Sequence, residues 1–147
     1  MNISPVGIAL VEEVEQCRLV AYWDAIGKVW TIGWGHTGAH VQEGLVWTQE
    51  QADAVLTTDL AAVQGCINRL VRTTLTQNQF DALCSFVYNV GCGAFTTSTL
   101  LRDINAGRFD LAAGQFPLWC HDHAGNVEQG LLDRRLKEQA LFTGATS

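Results

Sequence analysis

The sequence predicts an α+β fold, with a small β lobe over approximately residues 19–46 beside a larger helical lobe. One long helix joins the lobes, and a cleft lies between them. Three observations predict this. Apolar residues recur at helical spacing only up to about residue 17 and again after Thr48. The stretch between them carries glycines at 27, 33, 35, 38 and 44 among short β-rich runs. Behind Thr48 the helical period then holds for over twenty residues, the length of a connector between lobes. The helical lobe comprises residues 72–147 plus an N-terminal helix over 4–16, and 147 residues fit one domain.

Ser4-Pro5 reads as an N-cap followed by proline at the first helical position. Val6, Leu10, Val14 and Cys17 form the apolar stripe of this first helix, which runs to about Gln16. Glu15 lies on the neighbouring stripe with Ile8, Val11 and Arg18, so partly apolar surroundings are expected for it. Asp24–Lys28 reads as a turn and Val29–Trp34 as a strand. Thr48-Gln49-Glu50-Gln51 is a capping box that opens the long helix. A second box, Thr76 to Gln79, opens a helix through Phe80, Leu83, Cys84 and Val87 that Gly91 ends. Helices follow at about Ser98–Asn105, Asp110–Trp119 and Gln129–Phe142, the last closed by Gly144.

Composition excludes several classes. Hydrophobic residues make up 48%, enough for a packed core and too many for a disordered chain. A net charge of −6 argues against nucleic acid, whose phosphates need clustered Lys and Arg. No apolar run is long enough to span a membrane, so no membrane insertion is expected. MNISPVGIALVEEVEQ lacks a basic stretch followed by an apolar core, so no signal peptide is expected and the chain should accumulate in the cytoplasm where it is made. Five cysteines, none in a CxxC pair, read as free thiols acting as small buried apolar groups. Cys120-His121-Asp122-His123 fits no common zinc spacing and reads as an exposed loop, so no metal and no cofactor is expected. The five tryptophans read mostly as packing within a small lobe.

The chemistry concentrates between Glu15 and Thr37. Glu15 ends an amphipathic segment, Asp24 follows nine residues on, and TIGWGHT closes the run. Two carboxylates on different elements suit cleavage of a glycosidic bond: one protonates the leaving oxygen, the other works on the opposite face of the sugar. Taken alone, Glu15 also reads as a surface carboxylate and Asp24 as a turn residue. His36 reads as a structural histidine holding the β lobe near Glu15, with a ligand or second acid as alternatives. Arg134-Arg135 reads either as a surface pair or with one member, Arg134, reaching the cleft.

Glu15 and Asp24 at their spacing, TIGWGHT at 31–37, LTQNQFDALCSFVYNVGCGAF at 75–95, STLLRDINAG at 98–107 and GLLDRRLKEQALF at 130–142 together resemble the phage-type lysozymes, or endolysins, of glycoside hydrolase family 24. The resemblance implies a lysozyme-like fold. It implies hydrolysis of the β-1,4 bond between N-acetylmuramic acid and N-acetylglucosamine in peptidoglycan. By matching position, Glu15 is the general acid, Asp24 the second carboxylate and Thr31 a holder of the attacking water. Arg134 orients Glu15, and Thr37, Tyr88, Ser98 and Gln115 contact the glycan. Inversion at the anomeric carbon, which the resemblance also implies, needs carboxyl groups roughly 6.5–9.5 Å apart. A monomer is expected, reaching the wall through a holin-type pore.

Two positions depart from the family pattern. Six residues, AIGKVW, separate Asp24 from Thr31 where five are usual, so Lys28 is extra and could displace either residue along the hairpin. Gln16 stands where a glycine is common. Three other functions stay open at this point. A lytic transglycosylase needs one acid and no water-activating base. A weak or inactive peptidoglycan-binding module would keep the fold without the activity. A chitin-degrading enzyme would cleave a related glycan.

Overall fold

The computed structural model describes residues 1–145. The expected helical lobe runs to residue 147, so its last two positions lie outside the described residues. The elements, in chain order, are α1 (Pro5–Glu15), β1 (Arg18–Asp24), β2 (Val29–Gly33), α2 (Gln49–Leu70), α3 (Gln77–Val90), α4 (Cys92–Thr96), α5 (Thr99–Asn105), α6 (Phe109–Gln115) and α7 (Gln129–Thr143).

Local chemistry sets the helix starts. Thr48 and Thr76 each accept from the backbone N–H three residues on, and Gln51 and Gln79 each accept from the cap N–H in return. Gly91 at φ 90° ends α3, and Gly144 at φ 75° ends α7. The first helix departs from expectation at its cap. The Ser4 hydroxyl does not cap α1; it donates to Asp81 on α3, which also accepts from the Ser4 N–H at 2.9 Å. A buried carboxylate is the stronger acceptor, and it pins α1 to α3. Gly7 makes that approach possible, since a Cβ there would lie 2.8 Å from the Asp81 side chain. The inward face of α1 is therefore Gly7 and Val11, while Val6 is 57% exposed.

β1 and β2 form an antiparallel hairpin in the register Tyr22↔Thr31, Trp23↔Trp30 and Asp24↔Val29. Residues 45–47 lie along β1, with the Ala21 N–H donating to the Leu45 carbonyl at 2.9 Å and the Trp47 N–H to the Leu19 carbonyl at 2.8 Å. Ala21, Ile32 and Val41 form a small core with Trp30, Leu45 and Trp47 packed against it. The main core belongs to the helical lobe, where Phe80, Phe86, Phe95, Leu100 and Phe116 are fully buried. The long helix α2 touches both lobes, with Leu56 and Leu60 under Trp34 and Tyr88 and Ile67 in the main core.

Three further expectations change. The helix expected over Asp110–Trp119 stops at Gln115 and continues as a 3-10 turn over Phe116–Leu118, where Pro117 supplies no N–H. The short α4 went unmarked because Gly91 and Gly93 bracket its first turn. Cys66 and Cys92 are not free thiols: they form a disulfide linking α2 to α4, while Cys17, Cys84 and Cys120 stay free.

Candidate active site

Glu15 is the last residue of α1, and Gln16 turns the chain into β1. Gln16 does so at φ 57°, ψ 146°, a region that suits glycine and strains any side chain. The Glu15 carboxylate meets two neighbours from distant parts of the chain. Arg134 Nη1 on α7 donates to its Oε1. Gly35 closes its other side, and a Cβ at that glycine would lie 2.8 Å from Glu15 Cδ. The glycine in GWGHT thus has a spatial role that its pattern alone did not disclose.

Arg134 is buried and fully engaged. Its Nε donates to Glu138 Oε2 at 3.2 Å, and its Nη2 to the Ser85 carbonyl at 2.8 Å. Burial pulls this guanidinium down, but Glu15 and Glu138 outweigh burial and hold it above its ordinary value. Arg135, the alternative surface partner, is fully buried too. It lies over the Phe86 ring and donates from Nη2 to Asn89 Oδ1 at 2.7 Å. Burial lowers its pKa to about 10.

Asp24 ends β1, and its Oδ1 accepts the Ile26 N–H at 3.0 Å in an Asx turn. The turn occupies residues 25–28, with Lys28 exposed at φ 54° and strand pairing intact at Asp24↔Val29. In this register Asp24 and Thr31 share one face of the hairpin as diagonal neighbours, about 7–8 Å apart. Thr31 is buried, and its hydroxyl donates to the Val29 carbonyl at 3.2 Å. Tyr22, opposite Thr31, links the two carboxylates electrostatically. Burial, then Asp24, then Glu15, raise its phenol pKa, against the pull of Arg18.

Two clefts adjoin this cluster. One of about 600 Å³ runs from Asp24 to Asn89, Trp119, His121 and His123. The other, of about 300 Å³, is lined by Gly35, His36, Thr37, Asp59 and Tyr88. The structure thus pairs Glu15 with Arg134, places Asp24 on the larger cleft, and gathers His36, Thr37 and Tyr88 on the smaller one. Tyr88 donates to the Trp34 carbonyl at 2.6 Å, and its phenol is pushed well up by burial, then by Glu15 and Asp59, against Arg134. His36 Nδ1 lies 2.6 Å from Asp59 Oδ2, which ties the β lobe to α2.

Two further residues expected at the glycan belong to helices of the helical lobe. Ser98 is 6% exposed and caps α5: it accepts the Leu101 N–H at 3.0 Å and donates to the Phe95 carbonyl at 2.7 Å. Gln115 ends α6, in the helical lobe. Sequence reasoning missed Ser85, Glu138, Asn89 and Asp59 as supports. A polar Ser85 inside the apolar face of α3 was the available signal. Among the described residues no group of three or more His, Cys, Asp or Glu could hold a metal ion.

A two-strand lobe joined by a long helix to a helical lobe defines the lysozyme-like class. The family model described as phage lysozyme matches residues 12–138, and the chain belongs to that family. The endolysin of Acyrthosiphon pisum secondary endosymbiont phage 1 is 43% identical over 99% of the chain and 100% of its own length. The endolysin of Bacillus phage PZA is 46% identical over 99% of the chain, which spans 57% of that longer relative. The solved muramidase domain of SpmX from Asticaccaulis excentricus aligns with TM-score 0.85 and 41% identity, over 96% of this chain and 97% of that one.

Proposed function

We propose that the chain is an endolysin-type muramidase, which hydrolyses the β-1,4 bond between N-acetylmuramic acid and N-acetylglucosamine in bacterial peptidoglycan. The observation that carries this reading is the Glu15 carboxylate, held between Arg134 and the cleft-lining Gly35 in a chain of the phage lysozyme family. Its relatives carry the names endolysin and muramidase.

Glu15 delivers a proton to the glycosidic oxygen as the bond to the anomeric carbon breaks. Water attacks that carbon from the opposite face, held between Asp24 and Thr31, and gives its proton to Asp24. Their diagonal placement on one face of the hairpin supports this shared role. The product has inverted configuration. Arg134 fixes the orientation of Glu15, and His36 with Asp59 holds the β lobe in place. Thr37 and Tyr88 contact the glycan, the phenol offering an apolar face to a sugar ring. The chain works as a monomer, accumulates in the host cytoplasm, and reaches the wall through a holin-type pore. No described helix is long and apolar enough to cross a membrane.

A lytic transglycosylase is the second reading. It is favoured by the engagement of Asp24 in its own turn and of the Thr31 hydroxyl with the Val29 carbonyl. Mass spectrometry of muropeptides released from purified peptidoglycan separates the two. Hydrolysis leaves reducing muramic acid ends. Products with 1,6-anhydro ends would replace the hydrolytic reading with the second one.

A further inference from the structure

Glu138 is the one carboxylate on α7 that is completely buried, and it shares its guanidinium with Glu15. Its Oε2 accepts from Arg134 Nε at 3.2 Å and from the Ser85 hydroxyl at 2.5 Å. Its Oε1 lies 2.9 Å from Arg135 Nε, an ion pair by distance that is not aligned as a hydrogen bond. Arg134, Arg135, Glu15 and Glu138 thus form a cluster with two charges of each sign. A buried ionic cluster of this kind costs desolvation that apolar side chains would avoid, so packing alone does not account for it.

We propose that Glu138 is a positioning residue for the reaction: by occupying Arg134 at Nε while Glu15 holds Nη1, it offsets one of the two arginine charges and lets Glu15 carry the proton it must donate. The inference rests on the reading of Glu15 as the general acid. A lone guanidinium favours the ionised form of a carboxylate beside it. The second carboxylate divides the guanidinium and opposes its field. Besides the arginines, the titratable groups that feel Glu15 are Tyr22 on β1, which Asp24 and Arg18 also face, and Tyr88 on α3, which Asp59 also faces, with His36 paired to Asp59 beyond; none of these forms an ion pair with Arg134. Burial pushes the Glu138 carboxyl up, while Arg135, Arg134 and Ser85 draw it down.

The test is the pH–rate profile of the whole chain with Glu138→Gln and, separately, Arg135→Gln, each checked for folding by circular dichroism. Removing the negative charge should move the alkaline limb to lower pH by about one unit, and removing the positive charge should move it to higher pH. A purely structural role would lower activity at all pH values and leave both limbs in place, and that result in either folded variant overturns the proposal. The opposite signs keep the test decisive if only one variant folds. Glu15→Gln is run in parallel: activity in that variant overturns the general-acid reading itself. An inactive Glu15→Gln with unmoved limbs overturns only the role of Glu138.

Discussion

Arg134 and Glu15 meet across 119 residues of chain, and Nη1 of one donates to Oε1 of the other. The contact binds the last helix to the end of the first, at the point where the chain leaves the helical lobe for the β lobe. Burial makes it consequential. The Arg134 side chain is 7% exposed, and it also holds Glu138 and the Ser85 carbonyl.

Arg134→Gln should therefore act on stability and activity together. Removing one partner of a buried ion pair costs about 3–5 kcal/mol, because the other charges are left uncompensated. A melting temperature lower by roughly 10 °C is expected in differential scanning calorimetry, with wall clearing down about a hundredfold from loss of Glu15 orientation. A variant with parent-like melting and activity contradicts this role.

Gly35→Ala tests the other side of Glu15. The added methyl would enter the space of the carboxylate, and Gly35 has φ 89°, which disfavours a side chain in any case. Activity should fall by about two orders of magnitude, as expected for a displacement of ~1 Å at a reacting group. Initial clearing rates at matched folded concentration measure it.

Gln16→Gly should stabilise the chain. Gln16 holds φ 57° and ψ 146°, a backbone region that costs a residue with a side chain about 1–3 kcal/mol. Glycine relieves that strain but gives back some chain entropy, so a net gain of about 1 kcal/mol is expected in urea unfolding. No gain would mean that the Glu15–β1 junction is not strained.

The chain has two tyrosines, and both phenols are raised above their ordinary value. A raised phenol contributes stability that is present below the unfolded value near 10 and lost as pH rises towards the folded value. Absorbance titration should therefore show tyrosinate appearing late, together with alkaline unfolding. Asp24→Asn should let Tyr22 ionise at lower pH, since Asp24 is the larger of the two charges raising it. An unchanged Tyr22 titration would place Asp24 away from the Tyr22–Thr31 pair.

What was legible in the sequence is local. The capping boxes at Thr48 and Thr76 and the glycine stops at 91 and 144 involve residues within one turn of each other, and these helix ends form as read. Where tertiary partners compete, local reading fails. Asp81, 77 residues away, takes the Ser4 hydroxyl from its cap. Cys66 and Cys92 are 26 residues apart, and only the packing of α2 against α4 brings them together. Arg135 reads as a surface charge on a polar helix, yet it is fully buried beside Glu138, which sequence reading does not single out. The Glu15–Arg134 pairing came from family resemblance, since nothing in the spacing of two residues so far apart discloses contact.

The central claim is that Glu15 donates the proton that breaks the glycan. Its most direct measurement is turbidity of chloroform-treated Gram-negative cells exposed to the parent chain and to Glu15→Gln, with circular dichroism confirming that both are folded. The account predicts clearing by the parent and none by the variant, because the substitution removes the proton donor and little else. Clearing by a folded Glu15→Gln variant would contradict it.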